Sequence, residues 1–198
     1  EIVVLDGHGG SNNIDTFQLH PAASVMQLGG QSPVCWMDSS FDALVQLGAH
    51  CMQSGPGHMA HSYNSHGVVQ MLLNGKEIGE IGMASLQAAY FGVPVILVSG
   101  DQAACREAEM ELGPEAVTVE VKQSLGRYTA INYPLGKVHQ LLRDAAETAL
   151  RKLADMPVKQ GAEHYQLTVR FMCPNLVFPL EKTGAKRLGE NTLLFESD

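Results

Sequence analysis

Val95-Ile96-Leu97-Val98 is an apolar stretch with no polar interruption, and it limits the folds open to this chain more than any other segment. A strand of this kind is covered on both faces, as in a parallel sheet with helices above and below it. Its flanks agree. Upstream, Ile81, Ser85, Leu86, Ala89 and Tyr90 fall on one helical face, and Gly92-Val93-Pro94 ends that helix. Downstream, Ser99-Gly100-Asp101 leads into a second helix from Gln102 to Leu112, and Val117 to Val121 reads as the next strand. Pro134 opens a long helix running to about Met156, with Leu135, Val138, Leu141, Leu142, Ala145, Ala149 and Leu153 at helical spacing. Strand, helix, strand, helix at these intervals predicts an α/β fold with a mostly parallel central sheet flanked by helices.

Other elements attach to this frame. Ile2 to Leu5, Ala23 to Leu28 and Ala43 to Leu47 read as short buried strands, Ser11-Asn12-Asn13 as a helix cap, and Asp38 to Asp42 as a turn. Val68 to Leu73, Asn74-Gly75 and Glu77-Ile78 form a β-hairpin pattern, because Asn-Gly supplies the two positive-φ residues of the commonest tight turn. Tyr165 to Phe171 alternates as a strand, and Leu193 to Phe195 suggests a last one. Two parts are expected: an α/β catalytic core over 1–156 and a smaller C-terminal strand region over 157–198, packed on the core and marked off by Pro157 to Ala162. The chain opens at Glu1 directly in an apolar run, without a methionine, so an N-terminal strand upstream is expected to be missing.

Charge narrows the partners. With 13 Lys and Arg against 21 Asp and Glu, and no basic run, the net charge of −8 argues against nucleic acid and anionic membranes. No apolar stretch approaches the roughly 20 residues of a membrane span. Four widely spaced cysteines (Cys35, Cys51, Cys105, Cys173) without a C-x-x-C pair suit a reducing, cytoplasmic compartment. Small molecules are the expected ligands.

The chemistry concentrates between Phe41 and Gly82. His50 follows the strand that ends in Gly48-Ala49, and His58, His61 and His66 follow it closely on segments too rich in Gly, Pro and Ser for a helix. His8 likewise follows an apolar strand into a Gly-rich turn, Asp6-Gly7-His8-Gly9. Parallel strands bring their carboxyl ends to one edge of a sheet, so His8 and His50 can meet across a long stretch of chain. Two imidazoles with the carboxylate of Glu80 form a donor set that suits catalytic zinc, and His61 then remains for acid/base work. Glu80 also fits a plainer role, as an acid at a helix start where the dipole favours it. A competing set is Cys51 as nucleophile, with a nearby His and an acid such as Asp101, in a metal-independent amidohydrolase. Spacing alone leaves both open.

The ordered blocks Asp6-Gly7-His8, Gly48-Ala49-His50, Gly57-His58-Met59-Ala60-His61-Ser62, Asn74-Gly75, Gly79-Glu80-Ile81-Gly82 and Gly92 to Asp101 resemble the bacterial zinc-dependent D-aminopeptidases of the dipeptide-transport type. The resemblance runs on through Val121-Lys122-Gln123-Ser124 into the long helix. It implies that His8, His50 and Glu80 are metal ligands of a two-zinc centre and that His61 is the catalytic histidine. The implied reaction is release of N-terminal D-amino acids from short peptides such as D-Ala-D-Ala, in ring-shaped homo-oligomers with a decamer as the expected size. One block departs: the family's Ser-x-Asp-x-Glu-Gly motif, which supplies the bridging Asp and a second Glu, occurs nowhere in the 198 residues. The second zinc therefore lacks donors in the sequence as given, and a non-catalytic peptide-binding module of the same fold is the remaining alternative.

Overall fold

The computed structural model describes residues 1–9, 13–27 and 36–197, which fall into two units, Glu1–Ser40 and Phe41–Asp198. In the first unit β1 (Ile2–Asp6) pairs in parallel with β2 (Ala23–Gln27), in a register running from Ile2 opposite Ala23 to Asp6 opposite Gln27. Asp6 is buried, and its Oδ2 accepts the backbone N–H groups of Asn13 (2.6 Å) and Ile14 (3.0 Å). A carboxylate that satisfies two loop amides can be buried at little net cost. The connection to β2 holds a 3₁₀ turn, Thr16–Gln18, capped by Asp15. Ser11 and Asn12 of the expected cap, Leu28 of the expected strand and Cys35 lie outside the described residues.

The second unit begins with β3 (Leu44–Ala49), continues through the hairpin β4 (Val68–Leu73) and β5 (Lys76–Glu77), and enters α1 (Glu80–Tyr90). Then come β6 (Val95–Asp101), α2 (Gln102–Leu112), β7 (Val117–Gly126), β8 (Thr129–Asn132) and α3 (Leu135–Arg151). The chain closes with β9 (Tyr165–Phe171), a short α4 (Phe178–Glu181), β10 (Lys186–Gly189) and β11 (Thr192–Ser197).

These strands build two sheets. One has the order β3-β6-β7-β8, with β3, β6 and β7 parallel and β8 antiparallel to β7. All seven residues of β6 are buried, as the apolar run requires. Val95 and Val98 pack with Ile81, Ala104 and Ala108 of α1 and α2, whereas Ile96, Leu97 and Val119 pack with Ala149 of α3 and Met156. The α/β layering follows from that division. The other sheet is antiparallel throughout, in the order β10-β11-β9-β4-β5. It buries Val68, Met71, Val169, Phe171 and Leu193, with Met83 and Leu86 of α1 against them. Helix α1 thus serves both sheets, and its first residue, Glu80, is fixed by both cores.

The antiparallel part is larger than the sequence pattern suggests, because the Asn74-Gly75 hairpin and the C-terminal strands share one sheet through β4 and β9. The expected boundary at 156/157 falls within the second unit. Strand β7 runs five residues beyond Val121 and turns into β8 without an Asn-Gly or Asp-Gly signal, so polar Lys122, Gln123 and Ser124 masked it. The long helix stops at Arg151, and a 3₁₀ turn at Leu153–Asp155 takes the chain to Met156.

Candidate active site

Strand β3 does not end in regular pleat. Its ladder to β6 is irregular between Gln46 and Ala49, where Gly48 takes φ 68°, and Ser99 Oγ accepts the Gly48 N–H at 3.0 Å. A positive φ favours glycine, and a bulge of this kind re-aims the residues after it. Across the ladder, a Cβ on Gly100 would lie 2.4 Å from the Ala49 carbonyl oxygen, so only glycine lets β6 approach the strand exit. His50 is the next residue. Its Nδ1 lies 3.2 Å from the Cys51 carbonyl oxygen. A carbonyl only accepts, so Nδ1 carries the proton and Nε2 presents its lone pair.

The loop that follows is held from several sides. Cys51 is buried, and its Sγ accepts the Gly57 N–H at 3.2 Å. Asp101, fully buried at the end of β6, caps α2 through Ala103 N–H (3.0 Å) and Ala104 N–H (2.9 Å) on Oδ1, and takes His58 N–H (2.6 Å) on Oδ2. Ser62 Oγ accepts the Gln53 N–H at 3.2 Å, and the Arg127 carbonyl accepts the Met59 N–H at 2.8 Å. Met59 (φ 58°) and Tyr63 (φ 55°) are both left-handed without being glycine, and His61 sits between them. Such conformations cost on the order of 1–3 kcal/mol each and persist only where the surroundings dictate them. His61 Nδ1 donates to the Met59 carbonyl at 2.8 Å, so its Nε2 is also unprotonated in the neutral ring.

Both imidazoles face one carboxylate. Glu80 Oε1 lies 3.6 Å from His50 Nε2 and 3.8 Å from His61 Nε2, and the two rings stack with centroids 3.8 Å apart at 20°. The same oxygen accepts the Tyr63 N–H at 2.7 Å, which ties the His61 loop to the start of α1. Two imidazole lone pairs and a carboxylate oxygen turned toward one another repel unless a cation or protons lie between them. Two ligand atoms of a tetrahedral zinc stand about 3.3–3.6 Å apart, so the separation of His50 from Glu80 fits a shared metal.

His8 lies in the first unit, exposed in the turn after β1, where its carbonyl accepts Asn13 Nδ2–H at 2.6 Å. His66 is exposed and pairs with Ser65 Oγ at 3.1 Å, and His58 is held by its backbone to Asp101. Cys51 and Asp101 do not make a nucleophilic pair: burial pushes the Cys51 thiol up from its ordinary value, and both Asp101 oxygens are taken by backbone amides. Two links were not read from the sequence. Tyr63 to Glu80 bridges 17 positions with no local pattern. Asp101 did carry a legible signal, an acid between a buried strand and a helix, which is an N-cap position.

Glu107, on the buried side of α2, is also part of this neighbourhood. Its Oε2 accepts the Met52 N–H at 2.7 Å, and burial pushes its carboxyl up from 4.5 to about 7, with Glu111, Glu80 and Glu77 adding to the rise. A carboxyl raised on folding binds its proton more tightly in the native state, so stability is greatest below the unfolded pKa and falls as pH rises through the folded one. Between pH 5 and 8 the wild type should lose on the order of 3 kcal/mol more than Glu107→Gln. Urea unfolding of both proteins across that range measures it, and parallel pH profiles would refute it.

The Peptidase M55 family model, described as D-aminopeptidase, matches residues 1–198. A D-aminopeptidase of Bacillus subtilis (strain 168) is 36% identical over 154 residues, which is 76% of this chain and 55% of that relative. The chain thus spans little more than half the length of this relative. The solved structure titled Zn-dependent D-aminopeptidase DppA from Bacillus subtilis, a self-compartmentalizing protease, matches all of the chain and 73% of its own length, with a TM-score of 0.90 at 30% identity.

Proposed function

The chain belongs to the D-aminopeptidase family, and we propose that it is a zinc-dependent aminopeptidase releasing N-terminal D-amino acids from short peptides such as D-Ala-D-Ala. The observation that supports this reading most is the convergence of His50 Nε2, His61 Nε2 and Glu80 Oε1, with each Nδ1–H committed to a backbone carbonyl. In this proposal His50 and Glu80, with His8 from the matching family block, hold zinc, and His61 is the catalytic imidazole. Zinc held there would supply Lewis acidity toward the scissile carbonyl and toward water at the site. Two zinc ions per subunit are the family expectation, and these three donors account for part of such a set.

The chain's own groups have defined tasks. His61 is oriented by the Met59 carbonyl through Nδ1–H, so Nε2 is the atom that takes a proton from the attacking water and returns it to the leaving amine nitrogen. The water oxygen bonds to the amide carbon, the C–N bond breaks, and the products are a free D-amino acid and a shortened peptide or amino acid. Glu80 stands where α1 begins, a position the helix dipole favours for an acid, and its Oε1 accepts the Tyr63 N–H. The Gly55-Pro56-Gly57 loop and the buried Cys51 keep the His50 end of the site in place.

The proposal extends to assembly and setting. A ring-shaped homo-oligomer is proposed, because the DppA structure is described as a self-compartmentalizing protease. Cys51, Cys105 and Cys173 are free thiols, which supports a cytoplasmic setting, and among the described residues no helix is long and apolar enough to cross a membrane. We retain 1–156 as the catalytic core and 157–198 as the C-terminal strand region. Chelation should abolish D-Ala-D-Ala hydrolysis and added zinc should restore it. Activity that survives chelation would contradict the proposal, and zinc-loaded protein that binds the dipeptide without cleaving it would favour the binding-module alternative.

A further inference from the structure

Glu107 stands on a face of α2 otherwise made of Ala103, Ala104, Cys105 and Ala108. It is 2% exposed, and among the described residues only one of its oxygens has a hydrogen-bond partner: Oε2 takes the Met52 N–H at 2.7 Å, while Oε1 is buried without one. A buried carboxyl with an unpaired oxygen is costly, and an apolar side chain of similar size would fill the space without that cost. What the carboxyl touches distinguishes it from a filler. Met52 is two residues beyond His50. On its other side Oε1 abuts Gly79, where a Cβ would come within 2.3 Å of Oε1 and 2.8 Å of the Met52 Cβ. Gly79 is the N-cap of α1 and directly precedes Glu80.

We infer that Glu107 is a positioning residue of the site: its carboxyl spans from the segment leaving β3 with His50 to the turn that starts α1 with Glu80, and so sets the separation of those two side chains. The functional part of this inference rests on the zinc reading above, and the geometric part does not. Gly79 belongs to the same device, because any larger residue there would push the carboxyl and the helix start apart. The bond to Met52 needs an acceptor and not a charge. Gln at 107 therefore preserves the device, whereas Ala removes it.

The test uses the full chain with Glu107→Gln, Glu107→Ala, Gly79→Ala and the double variant Glu107→Ala/Gly79→Ala, each checked for folding by thermal melting. Two quantities are read: the Hε1 resonances of His50 and His61 in metal-free protein, and zinc affinity by competition with a chromophoric chelator. Glu107→Gln should stay within about threefold of wild type in zinc affinity, and Glu107→Ala should lose about 10- to 100-fold, with the His50 resonance shifted. Gly79→Ala should weaken zinc binding by itself and add less than that loss to Glu107→Ala, since truncation removes the 2.3 Å contact with Oε1 and leaves only the 2.8 Å contact with the Met52 Cβ. The inference is overturned if Glu107→Ala binds zinc like wild type with unmoved His50 resonances, or if the Gly79 and Glu107 losses add in full in the double variant. Wild type that binds no zinc while Glu107→Ala still shifts His50 would retract the zinc reading and leave the positioning role standing.

Discussion

His50→Ala should lose zinc and D-Ala-D-Ala hydrolysis together, while His61→Ala should keep the zinc and lose the hydrolysis. The two imidazoles are near equivalents in distance, 3.6 and 3.8 Å from Glu80 Oε1, so the assignment rests on how each is held. His50 leaves the end of a strand paired with the fully buried β6, with Gly48 bonded to Ser99 behind it. His61 rides on a loop between two strained residues and owes its orientation to its own chain two residues back. A ligand profits from the first kind of support, and a ring that must accept and return a proton tolerates the second. Losing the proton-transfer group should lower kcat by about 10²–10⁴ with zinc content unchanged. Zinc content by elemental analysis beside initial rates decides the matter, and His61→Ala protein emptied of zinc would make His61 a ligand instead.

Asp101→Ala should be among the most destabilising single changes in the second unit. The carboxylate is fully buried and accepts three backbone N–H groups, two at the start of α2 and one at His58. Losing a helix cap costs about 1 kcal/mol, and each buried donor left unpaired adds about 1–3 kcal/mol, so a loss of about 4 kcal/mol is expected. That is a large share of the roughly 5–15 kcal/mol that holds a typical domain together. Activity should suffer beyond the fraction unfolded, because releasing His58 frees the loop that carries His61. Asp101→Asn keeps one acceptor and should fall between the two. Guanidinium unfolding measures the change, and a loss under about 1 kcal/mol would show that the loop is held elsewhere.

The parts of the fold legible in the sequence were those with strong local periodicity. Val95–Val98, the helix from Gln102 to Leu112 and the Asn74-Gly75 hairpin each declare themselves within a few residues, and each appears where the pattern puts it. The union of β4 with β9 did not, because strand pairing across nearly 100 positions leaves no local trace. Strand β8 was hidden for a related reason: a short, mostly exposed strand such as Thr129–Asn132 lacks an apolar stripe. At the site, His50 and Glu80 stood out because a strand tip and a helix start are positions the sequence marks. Tyr63 and Glu107 did not, since one contributes only a backbone amide and the other looks like any acid on an amphipathic helix.

The most direct measurement is the zinc K-edge X-ray absorption of the wild-type chain loaded with one equivalent of zinc, compared with His50→Ala. The proposal predicts nitrogen and oxygen donors at about 2.0–2.2 Å with outer-shell scattering from imidazole, reduced by one imidazole in the variant. A sulfur scatterer at about 2.3 Å, or a spectrum that His50→Ala leaves unchanged, would place the metal elsewhere and contradict it.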